Sequence, residues 1–206
     1  MQLSGTSGFI YRVADWMMKI AFANLLWLLF TLMGLVLFGF YPAWVAMCSL
    51  MTSWHQGKEP PMFKTFWQTY RRVFLKGNIM AVIIMSVTLF MLVNLNIIRL
   101  FDGFAFYFFS FSTVGLFLLF LMWGMTFGLI SGEKEQVSFS KQDFMEPLKR
   151  LVMSPLKILL CLLAIGIVYI MNGLIPGLLP VYSISLVGWV VTMLFTSTSN
   201  PERRTS

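Results

Sequence analysis

Between Ile20 and Trp54 the chain runs for 35 residues without an acidic or basic side chain. A helix needs about 20 mostly apolar residues to cross roughly 30 Å of hydrocarbon. The run is therefore too long for one straight crossing and invites a second. Further apolar segments follow at about 78–98, 104–130, 155–172 and 178–196, none with a charge in its middle. Composition agrees that the solvent is lipid. Apolar types make up 58% of the residues, charged types 11%, and the mean hydropathy is +0.81. A soluble domain carries about 25% charged residues, so too few charges remain here to wet the outside of a soluble globule.

Gly39, Phe40, Tyr41 and Pro42 sit near the middle of the long run. Gly tolerates positive φ, and Pro starts a helix better than it continues one. This predicts a tight hairpin there, with 20–38 as the first limb and 42–54 as the second. At 1.5 Å per residue the second limb reaches only about 20 Å, so it reads either as a full span or as a re-entrant segment.

The basic residues decide between these. Lys and Arg accumulate on the cytoplasmic side of membrane helices. Arg12 and Lys19 precede the first span, Lys58, Lys64, Arg71, Arg72 and Lys76 follow the second, and Lys134, Lys141, Lys149, Arg150 and Lys157 lie between the fourth and fifth. Arg203 and Arg204 come last, and Arg99 is alone between spans 3 and 4. Fourteen of the 15 cations share one side if 42–54 crosses. If that limb were re-entrant, the N-terminal end would face away from the basic loops. The expected fold is thus an all-α polytopic membrane helix bundle in one domain, 1–206. It has about six transmembrane helices, at 20–38, 42–54, 78–98, 104–130, 155–172 and 178–196, with both termini in the cytoplasm. The first span shows no A-x-A site of a cleaved signal, and a lipoprotein-like reading of Val45-Ala46-Met47-Cys48 fails on Met47.

Three segments fall outside the spans. A lead-in at 8–19 carries an apolar stripe and the i,i+4 pair Asp15 and Lys19. At 62–75, Met62, Phe63, Phe66, Trp67, Tyr70, Val73 and Phe74 recur at helical spacing, with Lys64, Gln68, Arg71 and Arg72 opposite. Such a helix is expected to lie flat on the inner leaflet with its cations toward anionic headgroups. Phe66, Trp67, Arg71 and Arg72 are its candidate interface residues, whether for lipid or for a partner protein. The cytoplasmic loop 132–153 echoes this pattern: Lys134-Glu135, Phe139 and Lys149-Arg150 follow the order of Lys58-Glu59, Phe63 and Arg71-Arg72. The echo reads either as a relic of duplication or as two loops obeying one topology rule. Ser140 and Asp143 have capping-box spacing, and Pro147 should break or restart the helix after them.

Polar side chains in hydrocarbon are costly and point to function or to helix-helix contacts. Asn24, with Trp27 three residues on, lies in span 1. Asn94 and Asn96 approach the outer end of span 3, followed by Arg99 and Asp102, and Asn172 ends span 5. Asn94, Asn96, Arg99, Asp102 and Asn172 read either as an outer vestibule or as helix glue, with Arg99 and Asp102 an i,i+3 pair at the surface. Gly124, Gly128 and Gly132 recur every four residues and permit close helix approach, within the bundle or between copies of the chain. Cys48 and Cys161 both lie in apolar segments and are expected as buried free thiols. The single histidine, His55, stands at the edge of the second limb. No metal-ligand cluster, nucleophile motif or phosphate loop appears, so no cofactor and no catalytic residue is expected. Nucleic acid is not an expected partner either, because the membrane rule already accounts for the basic loops.

The N-terminal third carries a resemblance. Gly8, Arg12, Asp15-Trp16, the run Asn24-Leu25-Leu26-Trp27-Leu28-Leu29-Phe30, Gly39, Tyr41-Pro42-Ala43, Trp54, Gly57, Phe63, Phe66-Trp67 and Tyr70-Arg71 resemble the YesL-like family of bacterial integral membrane proteins. That family has no established biochemical activity. Its members occur beside carbohydrate-uptake transporters, glycoside hydrolases or sensor kinases, so the resemblance implies an accessory role in saccharide uptake or sensing, with a transporter or sensor kinase as partner. It assigns no catalytic residue. The rival readings are a small transporter or channel for a neutral solute such as a saccharide, with Asn24, Trp27, Asn94 and Asn96 facing its path, and a membrane enzyme near His55.

Overall fold

The computed structural model describes residues 6–100, 103–134, 136–175, 177 and 179–196. These form seven α-helices and no strand: α1 Thr6–Met33, α2 Leu37–His55, α3 Met62–Ile98, α4 Phe104–Glu133, α5 Lys141–Val152, α6 Pro155–Leu174 and α7 Leu179–Thr196. The chain is an all-α membrane helix bundle. Residues Ile10–Met33 of α1, together with α3, α4 and α6, are long and apolar enough to cross a membrane, and α7 is apolar but shorter. Six helices run back and forth, and α5 packs against α4 near the start of α6.

Helix α2 is the centre. Every residue from Tyr41 to Thr52 is buried, because α1, α3, α4 and α7 all pack around it. A glycine stands at each of these contacts, on α2 itself where it meets α1 and on the neighbour elsewhere. A Cβ on Gly39 of α2 would lie 2.4 Å from the Thr31 carbonyl oxygen of α1, and one on Gly77 of α3 would lie 3.2 Å from Pro42. A Cβ on Gly128 of α4 would meet Trp44 at 2.6 Å, one on Gly132 the Ser49 nitrogen at 2.9 Å, and one on Gly188 of α7 Met47 at 2.8 Å.

The hairpin between the first two limbs turns at Gly34-Leu35-Val36, not at Gly39–Pro42. Gly39 serves close approach rather than positive φ; the positive φ values belong to Leu35 and Val36. Pro42 sits inside α2 and packs on Gly77. A proline this near a helix start forfeits one backbone bond, and the dense packing around it holds the helix straight through. Moving the turn lengthens the second limb to 19 residues, about 28 Å.

The lead-in 8–19 continues into α1 as one helix, as expected, but the expected break after 62–75 does not occur: that segment continues into 78–98 as the 37-residue α3, about 55 Å long. Residues 62–75 do not form a separate helix with their rings turned to the headgroups. Phe66, Tyr70 and Val73 are buried, and Phe30 of α1 lies within 4.9–6.0 Å of the rings of Phe63, Phe66, Trp67 and Tyr70. The aromatic stripe found a better partner in another aromatic helix face than in the interface. The echo between the two loops likewise ends in different structures, the start of α3 in one and the separate helix α5 in the other; Glu135 of that motif lies outside the described residues. Pro147 is inside α5 without breaking it. It removes one bond from a helix that ion pairs clamp on both sides of it.

The two basic loops share an end. Lys19 Nζ lies 2.6 Å from Glu59 Oε1, which joins α1 to the 56–61 connection. Arg150 bonds Glu133 at the end of α4 and the Phe195 carbonyl at the end of α7.

The packing yields a prediction. Gly39→Ala forces a methyl against backbone atoms that cannot rotate away, and should cost about 3 kcal/mol or abolish folded yield. Gly115 has nothing within 4 Å of its would-be Cβ, so Gly115→Ala should be neutral or gain up to about 1 kcal/mol. Thermal unfolding of the two variants in detergent micelles checks this; equal midpoints would refute the tight α1–α2 contact.

Candidate functional site

The intramembrane asparagines are distributed over different helix pairs. Asn24, 1% exposed, donates through Nδ2 to the Pro180 carbonyl at 2.6 Å and accepts the Ser185 backbone N–H at 3.0 Å. One side chain thereby joins α1 to the start of α7. Asn94 Oδ1 accepts the Thr113 hydroxyl at 3.2 Å, joining α3 to α4. Asn96 donates to the Leu92 carbonyl of its own helix. Asn172 Oδ1 accepts the Ser183 hydroxyl at 2.8 Å, joining α6 to α7. Arg99 is exposed at the C-terminal cap of α3, and Asp102 lies outside the described residues. Trp27 is buried edge-on against Phe40 at 5.2 Å, and its indole N–H has no partner. The structure therefore does not gather these residues into one vestibule. Each bonded asparagine between helices does what a buried amide in an apolar medium must do, which is satisfy itself on a neighbour.

The glycine stripe is used inside the chain. Gly124 faces Ile84 of α3, Gly128 faces Trp44 and Gly132 faces Ser49. At this close approach Tyr41 Oη donates to the Gly124 carbonyl at 3.1 Å and Trp44 Nε1 to the Met125 carbonyl at 3.3 Å. The stripe is buried and unavailable to a second copy. Of the interfacial candidates, Phe66 is buried, while Trp67, Arg71 and Arg72 lie on the outer face of α3 and line a shallow groove with Thr65 and Gln68.

The exposed polar chemistry concentrates at the basic end. Trp16 of α1 meets Trp189 of α7 edge-to-face at 5.2 Å. These two, with Trp54, Lys19, Gly57, Lys58 and Glu59, line a cleft of about 220 Å³. Lys19 is held by Asp15 at 2.8 Å and Glu59 at 2.6 Å, as the i,i+4 spacing of the first pair predicts. Across the same end, Lys134 bridges Asp143 at 2.8 Å and Glu146 at 2.6 Å. Arg150 bridges Glu146 at 2.9 Å and Glu133 at 3.2 Å. These pairs dock α5 on α4, and Phe144 of α5 stacks on Trp123, whose indole donates to the Phe144 carbonyl. Neither cluster was visible as a unit in the sequence, because Trp16 and Trp189 are far apart along the chain. The i,i+4 spacings of Asp15–Lys19 and Glu146–Arg150 were the local signals.

His55 is exposed at the end of α2, and Cys48 and Cys161 are buried free thiols on different helices. Among the described residues no three His, Cys, Asp or Glu side chains are placed to hold a metal.

The clamp on α5 is pH-dependent. Hydrogen bonding from Lys134 holds the Asp143 carboxyl below the usual carboxylate range. Burial raises the Glu146 carboxyl, but hydrogen bonds from Lys134 and Arg150 outweigh it and leave that group lowered. Burial opposes the charge on Lys134, and its two carboxylate partners outweigh that and raise it. The lowered carboxyls contribute stability above their unfolded pKa of about 4, lost as pH falls through the folded values. The raised ammonium contributes stability below about 10.5, lost as pH rises through its folded value. The protection of the α5 amides, their exchange rate relative to that of the unstructured chain at the same pH, should therefore be flat across neutral pH and fall at both extremes; a transition centred near pH 7 would exclude this clamp. Separately, Asn24→Ala strands the Ser185 N–H and should lower stability by about 1–2 kcal/mol, read as a lower unfolding midpoint in detergent.

A sequence profile described as "Protein of unknown function, DUF624" matches residues 20–95. Three proteins of Bacillus subtilis (strain 168) are similar to the chain. The uncharacterized protein YteU is 29% identical over 192 residues, covering 92% of this chain and 84% of the relative. The uncharacterized protein YesV is 31% identical over 192 residues, covering 88% and 87%. The uncharacterized protein YesL is 35% identical over 83 residues, 40% of each chain. No solved structure matches. The matched profile covers α2, half of α1 and most of α3, the part of the bundle where the resemblance noted from Asn24-Leu25-Leu26-Trp27 and Tyr41-Pro42-Ala43 resides, and the chain belongs to the YesL-like family of proteins of unknown function, DUF624.

Proposed function

We propose that this protein is a non-enzymatic accessory component of the bacterial cell membrane that docks, through the basic end of its bundle, onto a membrane protein of carbohydrate uptake or sensing. The observation that carries the accessory part is the closure of the interhelical asparagines. Asn24, Asn94 and Asn172 each bond a neighbouring helix, so these three amides are spent on holding helices together rather than on lining a path for a solute. The same observation disfavours the transporter reading. The saccharide context comes with the family resemblance, and the cytoplasmic orientation of the basic end with the excess of Lys and Arg there.

The docking chemistry sits on the outer face of α3. Trp67, Gln68, Arg71 and Arg72 stand beside one another there, an aromatic and guanidinium set of the kind enriched at protein interfaces. The Gly124–Gly132 stripe is no part of this surface, since α2 and α3 occupy it.

A photo-crosslinking side chain at Gln68, activated in native membranes of cells grown on complex glycans, should capture a carbohydrate transporter subunit or sensor kinase. The same group at Leu116, on the lipid-facing side of α4, should not. Recovery of lipid alone at Gln68 would refute the docking. Movement of labelled oligosaccharide by the purified protein in liposomes would refute the accessory role.

A further inference from the structure

We propose that the α1–α2 hairpin is re-entrant: its tip ends in the hydrocarbon near the bilayer midplane, covered by lipid acyl chains, and both limbs return to the basic end. The tip is the nine-residue stretch from Leu32 to Phe40, which holds no polar side chain. Its apolar groups point outward, with Leu35 79% exposed and Leu37 62%. A turn that meets water is ordinarily built from Gly, Asn, Asp or Ser. Here Leu35 and Val36 themselves adopt positive φ, 55° and 65°.

Most backbone N–H groups of the tip are bonded, and the bond that Pro42 forfeits is the one to the Phe38 carbonyl. The N–H groups of residues 34 to 38 bond, in order, to the carbonyls of Phe30, Leu32, Thr31, Leu35 and Gly34, and that of Phe40 to Val36. Each backbone group left unbonded at membrane depth costs several kcal/mol, so these local bonds are what an apolar turn in lipid needs.

Depth follows from α3. Its cations Lys64, Arg71, Arg72 and Lys76 are all exposed and mark the polar side of the boundary. The tip residues Val36, Leu37 and Phe40 face Ala81, Ile84, Met85 and Thr88, only about 8–18 Å beyond Lys76 at 1.5 Å per residue. From Thr88 helix α3 continues ten residues to Ile98, about 15 Å more, before the chain turns past Arg99. The hairpin thus reaches about half of the roughly 30 Å of hydrocarbon. Because both limbs turn back together, the N-terminal half of α1 stays with the basic loops, as the Lys19–Glu59 pair requires.

The test is cysteine labelling in sealed vesicles of both orientations with a membrane-impermeant maleimide. Leu35→Cys is compared with Leu100→Cys, at the exposed end of α3, and Lys64→Cys, at the basic end. The parent chain supplies the blank, since Cys48 and Cys161 are buried. Leu100→Cys and Lys64→Cys should label from opposite sides, and Leu35→Cys about tenfold less than either from both sides, as hydrocarbon excludes the reagent. Labelling of Leu35→Cys from the Leu100 side would overturn the proposal and make the hairpin a full crossing. Labelling from the Lys64 side would also overturn it. A nitroxide on the same cysteine guards against steric exclusion of the maleimide: collisions dominated by dissolved oxygen support the midplane position, and collisions dominated by a water-soluble nickel chelate overturn it.

Discussion

In lipid, helices gain nothing by hiding apolar side chains from their surroundings, so their association depends on how closely their surfaces fit. Helix α2 shows what that demands. It carries Trp44, Tyr41, Met47 and Met51, all bulky, and it lies among four other helices. Close packing is possible because the bulk is met by absence: Gly77 under Pro42, Gly128 under Trp44, Gly132 against Ser49 and Gly188 against the two methionines. With α1 the complement is complete, glycine against backbone at Gly39 and Thr31. Dispersion contacts accumulate only at such distances, and the remaining helices are arranged around this one.

The same medium governs the polar groups. A buried amide or hydroxyl in hydrocarbon costs several kcal/mol unless bonded, and Asn24, Asn94 and Asn172 are each closed onto a neighbouring helix, while the Trp27 indole and the Thr31 and Thr52 hydroxyls are buried without a partner. Charge is excluded further still and collects at one end, where Lys19, Lys134 and Arg150 are held in ion pairs. The interior of the bundle is thus committed largely to helix–helix contact, and the exposed charged and aromatic side chains of the basic end lie on the outer faces of α3 and α5.

Several expectations read the right residues for the wrong reason. Gly39 and Pro42 were marked as turn-formers because they often are; here the glycine permits contact and the proline is absorbed by Gly77 of α3. The stripe at 62–75 was amphipathic as read, but its rings cover Phe30 instead of headgroups. The glycine stripe on α4 was legible as a packing face, and its partner was not. Asn24 was legible as a polar group in lipid, while its acceptor at Pro180 lies 156 positions away.

What the sequence determined by itself was the solvent, the number and approximate extent of the apolar segments, and the side on which the cations gather. Those properties sum over neighbouring residues, and hydropathy and charge are local quantities. The tertiary structure decided where the first hairpin turns, how deep it stands against α3, and which helix each glycine and asparagine serves. A small residue or an amide specifies only that something must come close or bond. Which surface does so depends on the three-dimensional meeting of helices far apart in the chain.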